Sequence, residues 1–352
     1  MGPGPADPDR VPYYLLICAG PDSVPFAFQR QLGLQYAVGR IQFQTPGDYA
    51  AYARSVVVAE TGRTRRESVG QFFCATSPGD PGMDLLRTQL MEPLLRGLQS
   101  RGRDWRFQNS DAGAATKGRL AELLNGEPTP ALLLAGGHGM RFPLSDPRWE
   151  SAQGALLCGD WPGPQVWSGR GAVPSEFYFC ADDLDPNSDL TGLIAFFFSS
   201  FAAGTPDDDL AELADPDTAA ALVLRPFVGG LATRMLCQPH GGALAVAAPI
   251  GRALSYSIGW RGIGAQSAAL ESALLRLMDG HPIGSALEYL NERYAELSTA
   301  VSDELEELGF GKPVDPIHLA GLWADTHDSG SFGVVGDPAV RLPVGSVPWG
   351  AP

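Results

Sequence analysis

The chain is poor in the features that mark disulfide-stapled, metal-carrying, membrane-spanning or nucleic-acid-binding proteins. Its 352 residues include five cysteines, an odd number, and no two of them are spaced C-x-x-C. Cys18, Cys74, Cys158, Cys180 and Cys237 fall mostly in apolar runs, where a thiol packs as a small hydrophobe, so no disulfide framework is expected. Cys237 and His240 have the C-x-x-H spacing of half a metal site, but no second ligand pair accompanies them, and neither zinc nor another metal is expected. No apolar run approaches the roughly 18–20 residues that cross a bilayer. The opening "MGPGPADPDRVP" has no basic stretch followed by an apolar one, so a secretory leader is not read there and a reducing, cytoplasmic setting is expected. Basic residues are outnumbered 25 to 40, the net charge is −15, and only Arg63, Arg65 and Arg66 cluster. Nucleic acid and anionic membranes are therefore not expected as partners. The phosphate loop G-x-x-x-x-G-K-[ST] and the G-x-S-x-G elbow are both missing, and "GIGAQS" (262–267) lacks the third glycine of a dinucleotide loop. No cofactor is expected.

What remains is the composition of an ordinary globular protein, 44% hydrophobic and 18% charged. Short apolar runs bounded by Gly, Pro or Asp read as strands at 13–20, 38–43, 69–76, 131–137, 154–159, 177–182, 193–200, 241–249 and 332–342. Helical patterns fall near 46–61, 84–100, 116–125, 207–221, 263–279, 282–307 and 315–324. Such alternation predicts an α/β architecture with a mainly parallel sheet. In 282–307 the apolar residues Ile283, Leu287, Leu290, Tyr294, Leu297, Val301 and Leu305 form one stripe expected to face the core.

Two strands end in chemistry. "LIAFFFSS" shows no alternation, so both its faces are expected to be buried, and its first polar side chains, Ser199 and Ser200, come at its carboxyl end. In parallel sheets that edge is where ligands bind. A hydroxyl there is either a strand-end cap or a nucleophile. "ALLLAGGHGM" ends the same way in His138, 62 positions earlier (200 − 138). If the two strands are neighbours, a base and a nucleophile meet across one cleft; a hydrogen-bonded structural histidine is the competing reading. Gly139 would let backbone approach a substrate closely and free its N–H, with that of residue 200, for a developing oxyanion.

An apolar strand ending in His-Gly, followed by one ending in a nucleophile and small residues, resembles the caspase-like clan of cysteine peptidases. "QYAVGRIQFQTPGDYAAYARSVV", "TPALLLAGGHGM", "QGALLCGDWPGP", "FFFSSFAAGTP", "HGGALAVAAP" and "GDPAVRL" are similar to its bacterial gingipain-like and CHAT-like branch. The resemblance implies a caspase-like three-layer sandwich over 12–345, with a soft subdivision near 62–68 and tails at 1–11 and 346–352. It implies an endopeptidase with His138 as base, position 200 as nucleophile and Gly139 in the oxyanion site. The clan carries cysteine where this chain has Ser200, so an engineered inactive form and a natural pseudoenzyme that binds a protein both fit. A serine hydrolase using Ser200 and His138 is the third reading, and it requires a carboxylate on the imidazole; the sequence singles out none. The branch often accepts basic side chains, for which Asp182 and Asp183 are the candidate pocket carboxylates. The acids 207–209 read as the start of a helix. A protein or peptide is the expected substrate, and a regulatory protein partner is compatible with it.

Overall fold

The computed structural model describes residues 10–102, 104–126, 128–206, 225–253 and 263–345. Twelve strands are formed among them: β1 (Tyr14–Ile17), β2 (Ala37–Arg40), β3 (Val69–Cys74), β4 (Arg106–Asp111), β5 (Leu132–Gly136), β6 (Leu156–Leu157), β7 (Tyr178–Phe179), β8 (Ile194–Phe198), β9 (Gly204–Thr205), β10 (Phe227–Val228), β11 (Ala245–Pro249) and β12 (Phe332–Gly336). Eight of these make one sheet in the order β1-β2-β12-β11-β8-β5-β3-β4. Every pairing in it is parallel except that of β11 with β12. Helices flank this sheet, which gives a mixed α/β layered architecture.

The absence of alternation in β5 and β8 has the consequence expected of it. Every residue of both strands is buried, because β8 lies between β11 and β5 and each face carries a packed layer. Phe196 and Phe197 are almost wholly removed from water, and such burial contributes about 1.5–3 kcal/mol for each side chain. The helix Pro46–Glu60 starts with a capping box, in which Thr45 Oγ1 accepts from the Asp48 N–H and the Asp48 carboxylate accepts from the Thr45 N–H. It is tied across the sheet by Tyr52, whose hydroxyl donates to the Leu244 carbonyl (2.8 Å) and accepts from the Asp337 N–H (2.5 Å).

Several expectations change. The runs at 154–159 and 177–182 are not strands of the main sheet: β6 and β7 pair only with each other, antiparallel. The positions beside β5 are already filled by β3 and β8, and the small hairpin instead packs in a satellite cluster with Phe142, Trp149 and Trp161. β4 escapes an apolar-run search because it is an edge strand with Arg106, Gln108 and Asn109 exposed. The stripe from 283 onward breaks into a short helix, Ile283–Ala286, and a long one, Glu288–Gly309. Leu290 and Leu297 of the long helix are buried, whereas Leu305 is half exposed; the helix packs most extensively against the helix Pro316–Ser331. That last helix extends through Asp325, His327 and Asp328, past the helical pattern expected at 315–324. The tails at 1–9 and 346–352 and the acids 207–209 lie outside the described residues.

Candidate active site

The register of three adjacent strands assembles the site. Gly136 of β5 pairs with Phe198 of β8 on one side and with Cys74 of β3 on the other. His138 and Ser200 each lie two residues beyond that pair, so they reach the carboxyl edge side by side, about one strand spacing of roughly 4.8 Å apart in backbone. Gly139 shows how closely the two strand ends approach. A Cβ there would fall 1.8 Å from the Ser200 carbonyl oxygen, so no residue larger than glycine fits without moving the end of β8. The turn after Ser200 is sharp: Phe201 is buried yet has φ of +63°, a left-handed conformation that costs an L-residue roughly 1–2 kcal/mol. Strain of this kind persists where the surroundings enforce it.

β3 delivers the third group. Asp80 lies six positions past the end of β3 and caps the short helix Pro81–Leu85, accepting from the Met83 N–H. Its other carboxylate oxygen, Oδ2, stands 2.5 Å from His138 Nε2. Burial alone would raise the Asp80 pKa, but the hydrogen bond and charge of His138, with the Met83 and Gly82 N–H groups, hold it below the usual carboxylate range. An ionised Asp80 can only accept, so Nε2 carries the proton and Nδ1 is the ring atom left to act as base. Asp80 is the candidate site residue that the sequence does not single out. The only local signal was its position before Pro81-Gly82, which reads as a helix cap and nothing more.

Ser200 Oγ accepts a hydrogen bond from the Ala253 N–H at 3.1 Å. It makes no direct hydrogen bond to His138, although both line one cavity of about 360 Å³. Neither the Gly139 N–H nor the Ser200 N–H has a partner among the described residues. Apolar walls come from Met83, Leu86, Leu90, Leu270 and Phe332, and Arg141, Arg252, Arg293 and Asp328 also line the space. Leu86 and Leu90 belong to a π-helical turn, Leu86–Met91, an irregularity common at functional sites.

The structure therefore brings His138, Gly139 and Ser200 together, and it does not bring Asp182 and Asp183 with them. Both lie in the turn Ala181–Asp183 after β7, away from the cavity lining. Asp183 is already engaged, pairing with Lys117 Nζ at 2.6 Å and accepting from the Cys180 N–H at 2.9 Å. No cysteine lines this cavity. Burial pushes Cys74, at the end of β3, up to about 12 and Cys180 up to about 11, and also raises Cys158 and Cys237. No group of three or more potential metal ligands occurs among the described residues, the neighbourhood of Cys237 and the acids around His327 included.

No family model matches the chain, and no curated protein matches it. One solved structure, described as "Structure of Protease", superposes with a TM-score of 0.45 at 10% sequence identity. The match covers 88% of this chain and 56% of that one, so the chain spans just over half its length. No described helix is long and apolar enough to cross a membrane.

Proposed function

We propose that the chain is a hydrolase of caspase-like architecture that attacks peptide bonds with Ser200, using His138 Nδ1 as base and Asp80 to hold the imidazole. The observation that carries this reading is the Asp80–His138 contact at the edge where Ser200 emerges. A serine hydroxyl, unlike a thiol, must lose its proton during attack, and an imidazole fixed in one tautomer by a carboxylate is the arrangement that removes it. In the first step Oγ bonds to the scissile carbonyl carbon, the hydroxyl proton passes to Nδ1, and the carbonyl oxygen becomes an oxyanion. The N–H groups of Gly139 and Ser200, which have no partner among the described residues, are the donors at hand for it. His138 then returns the proton to the leaving amine, and water releases the acyl group by the same route. The His-Gly and nucleophile strand ends lie on the neighbouring strands β5 and β8, which supports the caspase-like resemblance. Arg141, Arg252 and Arg293 outnumber Asp328 on a mostly apolar lining, which supports an apolar or acidic side chain before the scissile bond over a basic one. The proposal keeps a protein or peptide as substrate and a cytoplasmic location, without nucleic-acid or membrane partners.

One observation favours a second reading, a cleft that binds a peptide without cutting it: Ser200 and His138 are not hydrogen-bonded to each other. Hydrolysis of fluorogenic peptides carrying Leu, Phe, Asp, Glu, Arg or Lys before the reporter separates the two. The hydrolase reading expects turnover of the apolar or acidic peptides, lost in Ser200→Ala and in His138→Ala. Binding of the same peptides without turnover, with activity appearing only in Ser200→Cys, would establish the second reading.

A further inference from the structure

We propose that His327 is a positioning residue for the Ser200 hydroxyl, acting through the single peptide group that joins Arg252 to Ala253. This rests on the preceding reading only in naming Ser200 as the nucleophile. His327 lies in the helix Pro316–Ser331, and its Nε2 stands 2.9 Å from the Arg252 carbonyl oxygen. A carbonyl oxygen can only accept, so Nε2 carries the proton and donates it there. The other end of the same amide is the Ala253 N–H, which donates to Ser200 Oγ at 3.1 Å. The imidazole, one amide and the hydroxyl thus form a continuous chain of donors and acceptors.

The chain has an electronic direction. Donation to the carbonyl draws electron density toward oxygen and makes the N–H of that amide a stronger donor, the cooperative strengthening expected of linked hydrogen bonds. A stronger donor on Oγ engages one lone pair, leaves the hydroxyl proton for another acceptor, and stabilises negative charge as it grows on Oγ. The surroundings hold the amide still. The Ile250 N–H donates to the Ser331 carbonyl (2.7 Å), the Gly251 N–H to the Gly204 carbonyl (2.9 Å), and the Phe201 N–H to the Gly251 carbonyl (2.6 Å). The strap 250–253 is thereby clamped between the last helix and the turn that follows Ser200. His327 is fixed in turn by stacking on Trp323, with ring centroids 5.8 Å apart and planes at 18°.

The test places a titratable reporter at the nucleophile and needs no substrate. In Ser200→Cys the Ala253 N–H faces a sulfur, and the rate of iodoacetamide alkylation against pH, followed on the tryptic peptide carrying position 200, gives the thiol pKa. Adding His327→Phe keeps a ring to stack on Trp323 and removes the donor. The expected result is a rise of about one pKa unit, which is about tenfold less thiolate at neutral pH. Adding His327→Gln, whose amide N–H can replace Nε2–H, restores the lower value. Near-UV circular dichroism checks the fold, and His327→Ala, with the same expected rise, replaces the phenylalanine variant if that one does not fold. An unchanged thiol pKa in the folded variants overturns the inference. Failure of the hydrolase reading looks different, because Ser200→Ala would then leave peptide hydrolysis unaltered whatever the thiol titration gives.

Discussion

At the residue scale the account turns on one carboxylate. Asp80→Asn keeps the shape of the side chain and reverses the polarity of the contact: its amide donates to Nε2 and forces the ring proton onto Nδ1, where the base should be. Peptide hydrolysis is expected to fall by about 10³–10⁴ in kcat with little change in KM, read from steady-state kinetics. The same contact makes stability pH-dependent. Because the folded pKa of Asp80 is depressed, its contribution is present above the unfolded carboxyl pKa of about 3.9 and is lost as pH falls through the lower folded value. Urea unfolding between pH 6 and 2 should therefore show a steeper acid loss in the unaltered chain than in Asp80→Asn. His138 and Ser200 were legible in the sequence because each ends an apolar strand. Asp80 was not, because its meeting with His138 spans 58 positions between two loops, and no local periodicity records such a contact.

At the scale of the element, the paired ends of β5 and β8 are the device that makes the site. Gly139→Ala would drive a methyl group into the Ser200 carbonyl, and the strand ends must separate to admit it. The expected cost is about 1–3 kcal/mol in chemical denaturation, with hydrolysis lost in the protein that remains folded. The central strands were readable because complete burial removes alternation. β4 was not, because an edge strand exposes its polar side chains. The apolar runs at 154–159 and 177–182 are extended only in the two-residue strands β6 and β7, and hydrophobicity alone cannot say which sheet a strand joins. Placing Asp182 and Asp183 at the functional edge failed for that reason: the strand before them belongs to the satellite hairpin. The long helix shows the converse limit, since a stripe of apolar residues continues to Leu305 after the core it would cover has ended.

Across the whole molecule, the sheet is a rigid bed and the site is a feature of its carboxyl edge. Tyr52 tests that separation. Its hydroxyl joins the helix Pro46–Glu60 to the ends of β11 and β12 without touching the cavity. Tyr52→Phe leaves the Leu244 carbonyl and the Asp337 N–H short of a partner and should cost about 1–3 kcal/mol of stability. Hydrolysis measured well below the melting temperature should be unchanged. The class of architecture was legible from alternating strands and helices, because a parallel sheet needs crossovers and crossovers are most often helices. Strand order was not, because β12 enters the sheet between β2 and β11 through contacts made from opposite ends of the chain.

The central claim is that Ser200 is a nucleophile prepared by His138 and Asp80, and intact-mass analysis after exposure to a fluorophosphonate tests it most directly. The account predicts one phosphonyl adduct per chain, mapped to Ser200, absent in Ser200→Ala and formed far more slowly in His138→Ala and Asp80→Asn. An adduct that persists in Ser200→Ala, or no adduct on a folded chain, would contradict it.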